Sequence, residues 1–364
     1  MSKVLACLTA LTLMLFGTVA WTDGPSGIAR ARTPLHLAPR PCRPHHHHTC
    51  TPKPKPKPTP TPTAPPPTAY DCSGYTSVFK VPSGASFTAG SPPNSACYDA
   101  RGATIAVVTE WTRSVRIGET TPARDTAYVG GSVIQTCSYA YTWQEQHDLC
   151  TGGPRIYVSG GDARFAGFHV DNGDDSIVPR EVPHFSGAGT FTVEGVYATN
   201  TRDDVIENDD FMSGTISDNL FDGVHTFLSE QCQPCTGPSI SDGEDPNVYI
   251  SDTLVRLEDP NADNRGGQFF KYQGDSTHPE HRPNITDSVF AITQVPRDGW
   301  DGFEGAEFHG TNYLLWLGTG TYGGPIPPEM SLLQGQAAVD KWCHVRAGWL
   351  RSHGYGVGTC NVAP

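Results

Sequence analysis

Short alternating runs of apolar and polar residues recur through most of this chain, and they lack the three- and four-residue spacing of helices. The stretch 192–229 has the clearest pattern, because a β-branched strand, an Asn turn and a second strand lead twice to an acidic turn. The first passage ends in Asp203-Asp204 and the second in Asp222-Gly223, which we take as equivalent positions of successive coils. Weak repeats of roughly 20–35 residues without helical periodicity indicate a β-solenoid.

The repeat extends in both directions from this stretch. Upstream, residues 164–179 repeat it, which puts Asp174 and Asp175 where Asp203 and Asp204 stand one coil later. From Phe165 to Leu317 no convincing helix of ten or more residues separates the strands, as an α/β fold would require. The pattern therefore predicts an all-β fold, a right-handed parallel β-helix built as a single-stranded solenoid. The alternate residues predicted to face its core are Val193, Val205, Ile216, Val224, Ile250 and Ile285.

The C-terminal stretch has a different period. Between positions 334 and 354, apolar residues recur at steps of three and four, which is the spacing of an amphipathic helix that ends at Gly354. These residues are Val339, Trp342, Val345 and Trp349. Because a β-helix exposes a hydrophobic end and unpaired edge strands, this helix is predicted to cap the solenoid.

The N-terminal part does not follow the solenoid pattern. Residues 1–20 combine a basic residue, a short apolar run and small residues near Ala20, which is typical of a secretory signal peptide. Residues 21–50 form a short Cys/His-rich segment, and residues 51–69 form a proline-rich linker that favours extended conformations. The β-helix domain is therefore predicted to span 70–364, and the protein to be secreted to the extracellular space or cell surface. No later stretch is apolar enough for a membrane-spanning helix.

Cysteine usage agrees with an oxidising compartment. Removal of the signal peptide takes Cys7 away and leaves ten of the eleven cysteines, and an even number in a secreted chain indicates disulfides. Local pairing is the simplest arrangement. It predicts the pairs Cys42–Cys50, Cys72–Cys97, Cys137–Cys150, Cys232–Cys235 and Cys343–Cys360.

The charge balance limits the partners of this protein. The formal net charge is −13 and the pI is about 5.4, so nonspecific binding to nucleic acid or to an anionic membrane is not expected. The same balance counts against a polyanionic substrate unless cations bridge it to the protein. A monomer is the default expectation for a capped solenoid.

The recurring acids predict a groove whose side chains can take part in catalysis or ligand binding. If the coils are in register, strands about 4.8 Å apart carry acidic and basic side chains along one face, and such a groove can hold an extracellular polysaccharide lengthwise. The candidate catalytic residues are Asp174, Asp175, Asp203, Asp204 and His225. The candidate substrate contacts are Glu207, Lys271 and Tyr272, and the candidate Ca²⁺ ligands are Glu207, Asp209 and Asp210.

Some of these residues also have a structural interpretation. Aspartates at solenoid turns frequently cap backbone N–H groups, so Asp174, Asp203 and Asp222 can be turn formers. His225 is expected at the position that Ile177 and Ile206 hold in the preceding coils. There it is either a core histidine or, after a shift of one residue, a groove residue.

Three functions remain open at this level. Inverting glycoside hydrolysis needs a carboxylic acid and a carboxylate about 6.5–9.5 Å apart and no cofactor, and acids on neighbouring coils suit it. A polysaccharide lyase needs Ca²⁺ bound to carboxylates and a base such as Lys271. A noncatalytic glycan-binding or adhesion module is consistent with the long linker. The crowding of acids and the scarcity of bases favour hydrolysis.

Four motifs follow one another on consecutive predicted coils: Asp171-Asn-Gly-Asp174-Asp175, Asp203-Asp204, Gly223-Val-His225 and Phe269-Phe-Lys271. With them the chain resembles the pectate-lyase-like superfamily of right-handed parallel β-helix proteins over roughly residues 100–320. The motif order is similar to Asn-Thr-Asp, Asp-Asp, Gly-His-Gly and Arg-Ile-Lys of polygalacturonase-type hydrolases, although the last two motifs differ here. The resemblance implies that the Asp203-Asp204 pair supplies the general acid. It implies that the Asp174-Asp175 pair activates water, and that His225 and Lys271 position the substrate.

Overall fold

The structure is a computed structural model that describes residues 70–107, 114–136, 138, 141–149, 155–180, 189–231, 247–258, 267–273, 283–296, 303 and 305–362. The predicted signal peptide, Cys/His-rich segment and linker lie outside the described residues and remain predictions. Among the described residues, strands dominate, and they form three sheets in which all pairs are parallel.

The strands of each sheet follow one another along the solenoid. Sheet A contains β1 (Ser77–Lys80), β3 (Ala96–Asp99), β6 (Thr126–Val129), β9 (Asp162–Ala166), β12 (Thr190–Glu194), β15 (Ser213–Ser217), β18 (Val248–Ser251), β21 (Asn284–Thr286) and β23 (Glu307–His309). Sheet B contains β4 (Thr104–Val107), β7 (Ser132–Gln135), β10 (His169–Asp171), β13 (Tyr197–Thr199), β16 (Leu220–Val224), β19 (Leu254–Leu257), β22 (Val289–Ile292), β24 (Asn312–Trp316) and β25 (Met330–Gln334). Sheet C contains β2 (Phe87–Ala89), β5 (Val115–Ile117), β8 (Ile156–Ser159), β11 (Ile177–Arg180), β14 (Asp204–Glu207), β17 (Thr226–Gln231) and β20 (Gln268–Gln273).

The order of the strands along the chain makes a β-helix. From β3 to β20 the chain passes through sheets A, B and C in turn, and each strand pairs with the strand one coil further on. The helices are α1 (Trp143–Leu149), which lies in the connection from β7 to β8, and α2 (Gln336–Ser352), which follows β25. The predicted all-β parallel β-helix with a C-terminal helix is confirmed, whereas α1 was not predicted from the sequence.

The core of the solenoid is a stack of inward-facing side chains. In sheet A, Val193, Ile216, Ile250 and Ile285 lie in register on four successive strands. The residues predicted to face the core are all buried, with exposed fractions of 0–1%: Val193, Val205, Ile216, Val224, Ile250 and Ile285. Side chains that alternate along each strand therefore fill the narrow interior, as the period-two pattern required.

The turns from sheet A to sheet B share a left-handed residue at one position per coil. These residues, with φ between 48° and 65°, are Gly167, Gly195, Asp218, Asp252, Asp287 and Gly310. Glycine and aspartate tolerate this conformation better than other residues do. Asn219, which follows in one such turn, accepts a hydrogen bond from the Val196 N–H at 2.9 Å and donates one to the Val193 carbonyl at 3.1 Å. The Asn219 side chain therefore links this turn to the preceding coil.

Two register predictions were wrong. Asp222 pairs with Thr199 inside sheet B, so it does not occupy the position of Asp203 in the next coil. The position of Ile206 is taken by Leu228, and His225 is therefore not its equivalent. The reason is the length of the turn: residues 200–203 separate β13 from β14, whereas His225 alone separates β16 from β17. The similar order of residue types hides this difference.

Helix α2 confirms the predicted C-terminal helix and packs along sheet B. Trp342 and Trp349 are buried in a cluster with Leu220, Leu254 and other outward-facing residues of that sheet. The disulfide Cys343–Cys360 links the helix to the following tail, and Cys72–Cys97 links the first coils, both as predicted. The other predicted disulfides include cysteines outside the described residues. None of the described helices is both long and apolar enough to cross a membrane.

Candidate functional site

The predicted acids meet at the turn from sheet B to sheet C in two successive coils. Asp174 and Asp175 precede β11, Asp203 immediately precedes β14, and Asp204 is the first residue of β14. The Asp203 N–H donates to the Asp174 carbonyl at 3.3 Å, and the Ser176 N–H donates to the Asp204 carbonyl at 2.9 Å. The two pairs are therefore neighbours across the stack, in the register that the sequence predicted.

Three of these acids crowd together. One carboxylate oxygen from each of Asp175, Asp203 and Asp204 lies within 4.8 Å of the others. Carboxylates this close repel one another when all are ionised, so the group favours either a bound cation or a retained proton. Among the described residues, these three carboxylates form the group whose spacing suits a metal ion.

Lys271 brings a positive charge to the cluster from β20. Its ammonium nitrogen lies 3.1 Å from Asp204 and 3.5 Å from Asp203. In the register of sheet C, Lys271 is aligned through Ser229 with Glu207, and Asp204 is aligned through Thr226 with Gln268, so the Lys271 side chain makes this contact along the strand direction and not straight across the sheet. Although burial acts in the opposite direction, the charges of Asp204 and Asp203 raise the pKa of Lys271.

Two arginines that the sequence analysis missed complete the charge network. Arg155, just before β8, contacts Asp175, lies 3.4 Å from Asp174 and lies 4.0 Å from Glu207. Arg180, at the end of β11, lies 2.7 Å from Glu207. Arg155 stands one coil before Asp174 and Asp175, and Arg180 stands one coil before Glu207, but no motif surrounds either arginine in the sequence.

The acids predicted to bind Ca²⁺ have a different neighbour. Glu207, Asp209 and Asp210 surround the Arg180 guanidinium, with N–O distances of 2.7, 3.7 and 3.7 Å. The Arg180 guanidinium therefore occupies the position at which Ca²⁺ was expected. The carboxylates of Asp175 and Asp203, together with a third at Asp204, are better arranged for a divalent ion.

Helix α1 approaches the acidic turn from outside the sheets. The indole N–H of Trp143 donates a hydrogen bond to Asp203 Oδ2 at 3.2 Å. The residues before α1 are held by Arg202, whose fully buried side chain donates to the carbonyls of Ser138 at 2.8 Å and Tyr141 at 3.3 Å. The half-buried Trp143 ring therefore forms one wall of the site, where a flat apolar surface can contact a sugar ring.

Burial raises the pKa values of three acids of the site. Desolvation, followed by the charge of Asp175, raises the pKa of Asp174 to about 7. Desolvation and the neighbouring Asp203 raise the pKa of Asp204 well above its usual value, against the opposing effect of Lys271. Desolvation also raises the pKa of Glu207. Buried carboxylic acids that keep a proton near neutral pH are the groups that general acid catalysis requires.

His225 and Tyr272 differ from the other candidates in their surroundings. His225 is buried, and its Nδ1 lies 3.2 Å from the hydroxyl of Thr226, the residue that pairs with Asp204. The Tyr272 ring stacks on Phe270 at 5.5 Å and packs against the hydrophobic core. Adjacent residues of a strand point to opposite faces, so Tyr272 lies on the other face of β20 from Lys271.

The cluster brings together groups that can take part in proton transfer. Asp174 and Asp204 can each hold a proton, and Asp203 accepts a hydrogen bond from the Trp143 indole N–H. However, the spacing within the Asp175–Asp203–Asp204 group is shorter than the roughly 6.5–9.5 Å predicted for inverting hydrolysis. Comparison of the sequence with protein-family profiles, curated proteins and solved structures finds no match to this chain.

Proposed function

We propose that this protein cleaves a polysaccharide by acid–base hydrolysis at the turn between sheets B and C. The observation that carries the proposal is the contact of a buried, proton-retaining Asp204 with the hydrogen-bonded carboxylate of Asp203, within 4.8 Å. The parallel β-helix and the order of motifs also support membership in the pectate-lyase-like superfamily. The stacked strands beside the cluster, about 4.8 Å apart, suit a polymer that lies lengthwise.

The two aspartates take different roles in this proposal. Asp204 donates its proton to the oxygen of the leaving sugar, while Asp203 attacks the anomeric carbon and the glycosidic C–O bond breaks. Water then attacks the same carbon, returns its proton to Asp204 and releases Asp203. The close spacing supports this double displacement, because nucleophilic carboxylates in retaining enzymes stand about 5–5.5 Å from the acid. NMR of the first product should therefore give the anomer of the substrate, and the opposite anomer would contradict the assignment of Asp203.

The test of the function itself is cleavage of a purified substrate panel. The protein is incubated with neutral, amino-sugar and uronic polysaccharides, and new reducing ends are measured together with ultraviolet absorbance from unsaturated products. Asp204→Asn should lower turnover by about 10²–10⁴-fold, because it removes the general acid. Asp162→Asn is the matched control, since Asp162 is exposed in sheet A and bonds to Thr190. Equal turnover in both variants would contradict the proposal.

A second candidate function is a calcium-dependent lyase. It is favoured by the mutual approach of Asp175, Asp203 and Asp204, because three carboxylates at this spacing can hold Ca²⁺. Lys271 would then be the base that removes the proton beside the uronate carboxyl group. The lyase interpretation predicts an unsaturated product and complete loss of activity with a chelator. Reducing ends that form without absorbance, and in the presence of chelator, would exclude it.

We also propose that the protein acts outside the cell. The disulfides Cys72–Cys97 and Cys343–Cys360 are compatible with an oxidising compartment. The predicted signal peptide supports the same location. Fractionation of the expressing cells, with N-terminal sequencing of the mature protein, tests this, and an uncleaved intracellular protein would contradict it.

A further inference from the structure

We propose that the polysaccharide taken by this site carries no acidic groups, so that it is an uncharged or amino-sugar polymer and not a polyuronate. This inference rests on the proposed function, because it names the substrate class of the same site. Acidic side chains outnumber the basic ones around the turn. The acids are Asp174, Asp175, Asp203, Asp204, Glu207, Asp209 and Asp210, and the bases in contact with them are Arg155, Arg180 and Lys271.

Each of these bases is already bound by protein carboxylates. The pairs are Arg155 with Asp175, Arg180 with Glu207 at 2.7 Å, and Lys271 with Asp204 at 3.1 Å. Recognition of a sugar carboxylate depends on a cationic donor that can form charge-assisted hydrogen bonds with it. A polyuronate would have to displace a protein carboxylate from its partner at every one of these positions. A neutral sugar has no such requirement, because its hydroxyl groups can donate to the crowded carboxylates.

The neighbouring basic side chains do not change this balance. Arg116 pairs with Tyr157 on the adjacent strand of sheet C, but its guanidinium is bound to Glu119 at 3.1 Å. Arg202 is fully buried beneath the turn and donates to backbone carbonyls and to Asn172 at 2.8 Å. In the part of sheet C that the structure describes, the arginines and Lys271 therefore all have partners within the protein.

The count of acidic and basic groups bears on the same point. Among the described residues of the turn, seven acidic side chains surround three basic ones. A ligand with a negative charge on every sugar therefore meets an excess of acidic groups along its length.

Polymers that differ only in charge test this directly. Polygalacturonic acid is compared with the neutral galactan made from it by carboxyl reduction, and chitosan represents the amino-sugar class. Each polymer is tested with EDTA and, separately, with Ca²⁺. Two quantities are measured: release of reducing ends by the wild-type protein, and retardation of the Asp204→Asn variant in native gels that contain the polymer.

The outcomes separate the substrate class from the reaction. Cleavage or retardation with the reduced galactan or chitosan, and at least tenfold weaker retardation with polygalacturonic acid, supports the inference. Retardation by the uncharged or amino-sugar polymer without any cleavage would keep the substrate class and overturn hydrolysis. Preferred binding of polygalacturonic acid, with EDTA or only with Ca²⁺, would overturn the substrate class. No retardation by any of the three polymers would also overturn it.

A charge variant gives an independent test. Glu207→Gln removes a carboxylate that contacts Arg180 at 2.7 Å and Arg155 at 4.0 Å, so both guanidinium groups gain capacity for a ligand anion. Retardation by polygalacturonic acid should increase at least threefold in this variant. Glu194→Gln is the matched control, because Glu194 forms a similar pair with Arg164 at 2.6 Å in sheet A. An equal increase in both variants, or none in Glu207→Gln, would contradict the proposed role of the paired arginines.

Discussion

The ammonium group of Lys271 lies 3.1 Å from a carboxylate oxygen of Asp204, although the two residues are 67 positions apart in the chain. The contact spans two steps of sheet C, from β14 through β17 to β20. It joins a buried acid of the cluster to the base that lowers its pKa, against the larger effect of desolvation. A contact between distant coils therefore contributes to the protonation state of the site.

Lys271→Met should move the alkaline limit of activity to higher pH. Lys271 lowers the pKa of Asp204, so its removal leaves desolvation and Asp203 to raise that pKa further. A nearby opposite charge changes a pKa by about 1–3 units, and we expect the alkaline limit of activity to shift upward by about one pH unit. The measurement is the pH profile of kcat. Lys341→Met is the control, because Lys341 lies over the Tyr313 ring and far from this cluster in the fold.

The stability of the protein should decrease as the pH rises from about 4 to about 7. Burial raises the pKa of Asp174 from 3.8 to about 7, so the folded state binds more protons than the unfolded state in this window. Linkage then requires stability to fall with rising pH, and the effect is absent below the unfolded-state pKa. Thermal unfolding followed by circular dichroism at several pH values tests this. Asp174→Asn should flatten the decline, and an unchanged slope would contradict the assignment to Asp174.

Arg202→Met should destabilise the protein by about 3 kcal/mol, because it leaves the buried Asn172 amide oxygen and two part-buried carbonyls without their charged donor. The carbonyls belong to Ser138 and Tyr141, which precede α1. Since α1 carries Trp143, activity should fall as well. Urea unfolding measures the loss, and Arg351→Met, an exposed change in α2, should remain within about 0.5 kcal/mol of the wild type. Unchanged stability of the Arg202→Met variant would show that other contacts hold the segment before α1.

Asp222→Asn should reduce stability without changing the chemistry of the folded protein. The Asp222 carboxylate accepts hydrogen bonds from Arg256 at 2.5 Å and from Arg346 in α2 at 2.6 Å. Breaking a buried ion pair of this kind costs about 3–5 kcal/mol. Urea unfolding and turnover of the folded fraction are the two measurements. Normal stability with lost turnover would contradict the structural role of Asp222.

Part of the site could be predicted from the sequence, because residues at equivalent positions of a repeat become neighbours in the stacked coils. Asp174-Asp175 and Asp203-Asp204 precede strands with similar patterns, and backbone bonds between the two turns confirm that they are neighbours. The same reasoning failed for Asp222, because the turn after β16 is shorter and one acidic residue looks like another in a weak repeat. Arg155 was missed since it stands alone before β8, without a motif around it.

By itself, the sequence determined the architecture of this protein. Alternation of apolar residues, Asn and Asp at the turns and the helical period at the C-terminus are local properties, and each acts within a few residues. Only the tertiary structure decided which charges meet. Lys271, Arg155 and Trp143 reach the acidic turn from different coils and from a helix, and their distances depend on turn lengths that accumulate along the stack. Burial, which raises the pKa of Asp204, likewise exists only when neighbouring coils cover it.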